Sequence, residues 1–247
     1  MGKKIRVQRR GRGSPTFRAA AHKRIAPAKY PTEIGAKGDF LLKGTVKELV
    51  HEPGRGSPLA KIELQSGREF YTPASEGVYV GQEIHIGSKA PVETGNVLPL
   101  GQIPSGTTVC NVELRAGDGG RIAKASGTYV TVVSHSPKGT EVKLPSGRSV
   151  VLMDSCKAMI GVVSGAGRID KPFLKAGKKV HWMKAKGRQY PITKGVAMIA
   201  AVHPHGGGSH KTSSLKPTTV SRRAPPGQKV GIIAAKRTGR KKRKRTR

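Results

Sequence analysis

Charge is arranged along this 247-residue chain in a way that few free-standing folds tolerate. Residues 1–32 carry ten Lys/Arg and no carboxylate, and residues 171–247 carry twenty-two Lys/Arg and again none. All fourteen Asp/Glu fall in residues 33–170, where fifteen Lys/Arg nearly balance them. A near-neutral middle therefore joins two purely cationic arms, and the net charge of +33 sits almost wholly on the arms. A solvated face normally mixes both signs. Acid-free stretches of this length have no internal counter-charges, so they are expected to stay extended until a polyanion screens them. A polyanionic partner is the first implication.

The middle reads as short strands. Phe40–Val50 is rich in β-formers, and Ala60–Gln65 alternates so that Ile62 and Leu64 share a face. Ser66-Gly67 then turns the chain into Arg68–Thr72, a hairpin signal. Val78–Ile86 supplies a further strand or strand pair, and Asn96–Gly106, with two prolines, reads as a linker. A second set follows at Thr107–Leu114, Gly127–Ser134, Thr140–Leu144, Arg148–Met153 and Met159–Val163, with turns at Pro137-Lys138-Gly139 and Pro145-Ser146-Gly147. Two groups of short strands predict two small β-barrels in series, a common platform for irregular nucleic acid. With 33 Gly and 17 Pro, long helices are not expected to dominate.

Other classes are disfavoured by what the chain lacks. Cys110 and Cys156 are too few for a disulfide scaffold or a four-thiolate metal site, so both are expected as reduced, packed thiols. Met1–Arg6 has no apolar run behind its charges, so no secretory signal is expected. The position where N-myristoylation needs Ser/Thr is Arg6. Apolar runs such as Gly195–Val202 fall short of the roughly 20 residues that span a bilayer, so no membrane partner is expected.

Val202–Thr212 (VHPHGGGSHKT) is the densest candidate site. A phosphate-binding P-loop aligned on Lys211-Thr212 needs glycines where His205 and His210 stand, so that reading fails. A metal site on His203, His205 and His210 has no nearby Cys, Asp or Glu to complete it. Ser209 and Ser213 lie near histidines, yet no local acid orients an imidazole. The favoured reading is a loop laid against nucleic acid, with exposed backbone N–H groups at Gly206, Gly207 and Gly208 and with His203, His205 and Lys211 at phosphates or base edges. An enzyme built on His203/His205 and a sequence-neutral DNA-architectural protein remain as rivals.

The pentapeptide Gly-Arg-Gly-Ser-Pro occurs at Gly11–Pro15, in the basic arm, and again at Gly54–Pro58, where a loop between strands is expected. Glycines beside an arginine let backbone approach a phosphate while the guanidinium forks onto it. Candidate RNA contacts are thus Arg9, Arg10, Arg12, Arg18 and Arg55 at the N-terminal side. On the C-terminal side they are Lys179, Lys184, Lys186, Arg188, Arg222, Arg223, Arg237 and Arg240. Trp182 and Tyr190, set among lysines, either stack on splayed bases or anchor the arm. Lys236–Arg247 holds nine Lys/Arg in twelve residues and predicts salt-sensitive binding without base specificity.

Several blocks, in order along the chain, carry a resemblance: Gly54–Lys61 (GRGSPLAK), Gly95–Leu100 (GNVLPL), Pro104–Leu114 (PSGTTVCNVEL), Ala125–Val130 (ASGTYV), Arg168–Gly177 (RIDKPFLKAG), Lys194–Met198 (KGVAM), His203–Gly208 (HPHGGG) and Gly227–Gly239 (GQKVGIIAAKRTG). The chain resembles the universal L2 family of large-subunit ribosomal proteins in its archaeal/eukaryotic form. The resemblance implies a mainly β fold: a basic N-terminal extension over 1–34, an OB-type RNA-binding barrel over 35–95, an SH3-like barrel over 96–170, and an extended basic arm over 171–247. It implies a structural, non-enzymatic rRNA-binding role in the cytoplasmic ribosome that supports subunit association, tRNA binding and the peptidyl transferase centre. The implied partners are large-subunit rRNA, neighbouring ribosomal proteins and the small subunit across the intersubunit interface. No cofactor is implied, with structural Mg²⁺ only through bound rRNA. One departure stands out: Met198-Ile199-Ala200-Ala201-Val202 replaces the family's usual Met-Asn-Pro-Val-Asp, so the acid that precedes the first histidine is absent.

Overall fold

The computed structural model describes residues 3–31, 41–208 and 219–236. The chain divides into two compact units, Ala20–Lys175 and the pair of segments Met1–Ala19 with Ala176–Arg247. The fold is mainly β.

The unit Ala20–Lys175 is built from β1 (Leu41–Val50), β2 (Leu59–Leu64), β3 (Glu69–Pro73), β4 (Glu83–Gly87), β5 (Val97–Pro99), β6 (Thr108–Cys110), β7 (Val130–Ser136), β8 (Gly139–Lys143), β9 (Ser149–Leu152) and β10 (Lys157–Ile160). They form one continuous hydrogen-bonded sheet in the order β3-β2-β1-β4-β5-β10-β6-β7-β8-β9. The sheet encloses two apolar cores, matching an OB-type barrel followed by an SH3-like one. Val46, Ile62, Phe70, Ile84 and Ile86 fill the first core; Leu100, Ile103, Val130, Val132 and Val142 fill the second.

The expected linker is the correction. Within Asn96–Gly106, Val97, Leu98, Leu100 and Ile103 are fully buried, and β5 pairs with β10. Side chains alternate across a strand, so β5 sends Val97 to the first core and Leu98 to the second. β10 does the same with Met159 against Ala158 and Ile160, and β6 with Cys110 against Val109. The two cores thus share a wall. The prolines are compatible with this, since Pro99 stands at the last residue of a three-residue strand and Pro104 beyond it, positions where a missing N–H costs little.

The expected hairpin turns at Ser66-Gly67, Pro137-Lys138-Gly139 and Pro145-Ser146-Gly147 all form, and the first and third share one pattern. The Leu64 N–H donates to the Arg68 carbonyl at 2.8 Å and the Gly67 N–H to Leu64 at 2.9 Å. The second barrel repeats this with Leu144 to Arg148 at 2.8 Å and Gly147 to Leu144 at 2.8 Å. Gly67 and Gly147 sit at φ +78° and +81°, where a Cβ would strain the backbone. Both cysteines are free and buried, and burial pushes each thiol up to about 11. They are packed residues with little thiolate character.

The segment Ala28–Tyr30 is fastened to the first barrel. Ala28 bridges Tyr71 in parallel, the Lys29 N–H donates to the Tyr71 carbonyl at 3.0 Å, and the buried Tyr30 hydroxyl donates to the Asn111 carbonyl at 2.9 Å. The Lys124 ammonium donates to the carbonyls of Ala28 and Gly120, and burial, with Arg55 and Lys29 nearby, lowers it to about 8.

The other unit contains α1 (Arg6–Arg10), α2 (Ala176–Ala185) and a parallel pair, β11 (Thr219–Val220) with β12 (Ile232–Ile233). α2 ends where Gly187, at φ +64°, lets its N–H reach Lys184 at 3.1 Å and the Arg188 N–H reach Met183 at 2.9 Å. A Cβ on Gly187 would stand 2.8 Å from the Phe17 carbonyl oxygen and the Ala19 nitrogen, so glycine there lets the two acid-free segments pack backbone to backbone.

Candidate nucleic-acid interface

The unit formed by Met1–Ala19 and Ala176–Arg247 contains 27 of the 47 Lys/Arg and no carboxylate. Of the candidate contacts, Arg9, Arg10, Arg12, Arg18, Lys184, Arg188, Arg222 and Arg223 are exposed on it. Lys179 and Lys186 are half-buried because they cover aromatic rings, Lys186 over Trp182 at 4.1 Å and Lys179 over Tyr190 at 5.1 Å. Trp182 and Tyr190 thus each carry a lysine of their own unit over the ring. Lys211, Arg237 and Arg240, together with His210, lie outside the described residues.

The loop Met198–Gly208 winds tightly on itself. The His203 N–H donates to the Ile199 carbonyl at 3.2 Å, the Gly206 N–H to His203 at 2.9 Å, and the Gly207 N–H to Met198 at 2.9 Å. The expectation of free glycine amides is therefore corrected: those of Gly206 and Gly207 are consumed inside the loop. Gly206 is needed for a different reason, since a Cβ there would run into the backbone carbonyls of Met198 and Ile199. Gly207 and Gly208 stand at φ +85° and +73°, and a Cβ on Gly208 would meet no atom of the described residues within 4 Å.

The two histidines meet edge to face, with ring centroids 5.1 Å apart, and the His205 N–H donates to His203 Nδ1 at 3.0 Å. The His203 ring lies directly against Gly195, where a Cβ would overlap it. Burial, then His205 and Arg6, hold the imidazole below the usual histidine value. Its neutral form carries the proton on Nε2, because Nδ1 is an acceptor. Depression of the folded-state value means that loop stability is complete above the unfolded pKa of about 6.5 and is lost as pH falls toward the folded value. NMR titration of His203 should give a midpoint below that of free histidine, with the Nε2–H tautomer above it. A midpoint at or above the free value would contradict this geometry.

Arg6, Thr193 and Gly195 escaped sequence reasoning. Arg6 donates from a terminal nitrogen to the Thr193 carbonyl at 3.2 Å, while its buried Nε has no hydrogen-bond partner among the described residues. Ile5, Arg6, Arg10, Met198, Val202 and His203 line a cavity of about 140 Å³. No local motif signals this, because residues nearly two hundred positions apart meet only in the folded unit. Among the described residues, no three His, Cys, Asp or Glu side chains gather as a metal site, and no helix is long and apolar enough to cross a membrane.

The two copies of Gly-Arg-Gly-Ser-Pro part company. Gly11 and Gly13 face open space, leaving Arg12 exposed between them. The Gly54 N–H instead donates to the Lys23 carbonyl at 3.0 Å, a Cβ there would stand 2.9 Å from the same oxygen, and Gly56 lies under the Arg168 guanidinium. Arg55 turns inward, its Nε 2.6 Å from the buried carboxylate of Glu52. The second copy forms the expected loop between β1 and β2, built as packing.

Comparison with known proteins completes the picture. Residues 2–86 match the family described as ribosomal proteins L2, RNA binding N-terminal domain, and residues 93–224 match its C-terminal domain. The chain belongs to the L2 family of ribosomal proteins. Its L2 relatives include the large ribosomal subunit protein uL2 of Korarchaeum cryptofilum, 55% identical over 99% of this chain and 98% of that protein. Those of Hyperthermus butylicus and Methanothermobacter thermautotrophicus are 52% and 46% identical, each over 98% of this chain and all of theirs. In the loop Met198 and Ile199 act through their carbonyl oxygens, which any side chain leaves in place.

Proposed function

We propose that this protein is a structural constituent of the large ribosomal subunit that binds its rRNA through the acid-free unit. There it supports subunit association, tRNA binding and the organisation of the peptidyl transferase centre. The observation that carries the reading is that unit's 27 Lys/Arg without a carboxylate, a charge density that a folded body keeps only against a polyanion. Arg9, Arg10, Arg12, Arg18, Arg188, Arg222 and Arg223 would meet phosphates, and the His203–Gly208 loop would project into an RNA-built site. Its partners are large-subunit rRNA, neighbouring ribosomal proteins and the small subunit, in the cytoplasmic ribosome.

The role is organisational, not catalytic. His203 spends Nδ1 on the His205 N–H, and no carboxylate is among the groups that shift its titration, so it lacks the oriented base of a triad. No cofactor is required beyond Mg²⁺ held by the rRNA itself.

Binding of the full chain to a large-subunit rRNA fragment should fall linearly on a log–log salt plot. Between about 50 and 200 mM salt the affinity should drop by about three orders of magnitude, as six or more neutralised phosphates require. A salt-insensitive affinity, or equal affinity for duplex DNA at matched salt, would contradict the reading.

A further inference from the structure

The second barrel repeats the first barrel's meander residue by residue. In β1–β2 the register runs Thr45↔Glu63, Val46↔Ile62, then a bulge, then Glu48↔Lys61. In β7–β8 it runs Thr131↔Lys143, Val132↔Val142, the same bulge, then Ser134↔Glu141. The third strands follow suit, with Ile62↔Phe70 and Lys61↔Tyr71 matched by Val142↔Val150 and Glu141↔Val151. With the two identical turns between them, β9 is the counterpart of β3, and Val151 the counterpart of Tyr71.

The copies differ at their outer edge. On β3 the edge is covered: Ala28 bridges Tyr71 in parallel, and the Tyr71 carbonyl accepts from the Lys29 N–H. A strand residue directs its N–H and C=O to the same side, so both groups of Tyr71, and by register both groups of Val151, point outward. β9 is the last strand of its sheet, and among the described residues no segment pairs with its free side. Val150, Val151 and Met153 are 36%, 52% and 67% exposed. Ser149–Leu152 holds no proline, no charge and no bulge, the devices that normally blunt an edge.

We infer that β9 receives an extended segment of a neighbouring ribosomal protein, added in parallel in the register that Ala28–Tyr30 takes on β3. Strand addition supplies alternating carbonyl and amide groups at the spacing this edge requires, which nucleotides do not. Charge specifies the segment further. The first copy pairs Lys47 with Glu63 at 2.9 Å and Lys61 with Glu69 at 2.7 Å. At the matching positions the second copy has Val133 with Lys143 and Glu141 with Ser149, so neither pair has a counterpart. Lys143 and Arg148 stand exposed at the start of β9, and Glu141 lies 3.5 Å from the Ser134 hydroxyl. The incoming segment therefore carries a carboxylate at its N-terminal end, beside Lys143 and Arg148, and an apolar side chain opposite Val151.

This inference rests on placement in the large subunit, which co-sedimentation of the full chain reads separately. With Val151 replaced by p-benzoylphenylalanine, irradiation of purified large subunits should cross-link the protein to one ribosomal protein. The attachment point should lie in an extended segment with Asp or Glu a few residues before it. Val151→Pro removes the outward N–H at a position where an edge strand accepts proline. It should lower that neighbour's occupancy in purified subunits at least fivefold, while Val151→Thr leaves it unchanged. Hydrogen exchange on the unsubstituted protein provides a reading independent of variant folding: the Val151 amide should exchange at least tenfold more slowly in the subunit than in the free chain. A cross-link to rRNA, no cross-link in subunits that contain the protein, or unchanged exchange would overturn the inference. Failure to co-sediment would count against the ribosomal reading instead.

Discussion

Removing Lys171–Arg247 is expected to abolish stable incorporation into large subunits, measured as loss of the tagged chain from the large-subunit peak of a sucrose gradient. The deletion takes twenty-two of the 47 cations and no carboxylate. It also takes most of the unit on which Met1–Ala19 packs, including Gly187, where the two backbones meet. With fewer phosphates neutralised, binding weakens and its salt dependence flattens. The barrels should survive, because both cores lie within Tyr30–Val163. A truncated chain that melts like the intact one yet leaves the large-subunit peak is the expected result. One that stays in the peak would refute the assignment of RNA binding to the acid-free unit.

The second large effect concerns single atoms. Gly206→Ala should cripple large-subunit function, lowering translation by tenfold or more, whereas Gly208→Ala should lower it far less. A methyl at position 206 meets two backbone carbonyls, those of Met198 and Ile199, which can move only if the loop opens. Among the described residues a methyl at 208 meets nothing within 4 Å, and its cost there is the positive φ, about 1 kcal/mol. Gly207→Ala should fall between, with 3.4 Å to the Ala200 Cβ and a positive φ. In free Gly206→Ala protein, His203 should also return toward an ordinary histidine titration, since its seat depends on the same turn. Equal activity of the 206 and 208 variants would show that the loop is not held as described.

Much of this was legible along the chain. Strand positions followed from alternation, as in Ile62 and Leu64, and the two Ser-Gly turns from the need for a left-handed residue. The histidine–glycine loop stood out as a local run. The shared wall did not, because Val97, Leu98 and Leu100 read as a short proline-flanked connector; only the approach of β10 turns that segment into core. Nor did Arg55 disclose that it faces Glu52, since a loop arginine looks the same whether it turns inward or outward.

By itself the sequence determined where charge can be self-compensated and where it cannot, because counter-charges either exist along the chain or do not. That marked out a balanced middle and two acid-free segments, and with them the expectation of a polyanionic partner. Tertiary structure decided which parts of each acid-free segment fold together and which glycine of the loop is irreplaceable. It also covered the edge of β3 with Ala28–Lys29, while among the described residues nothing pairs with the edge of β9. Those outcomes depend on distances between residues far apart in the chain, and periodicity and composition, being local, carry no record of them.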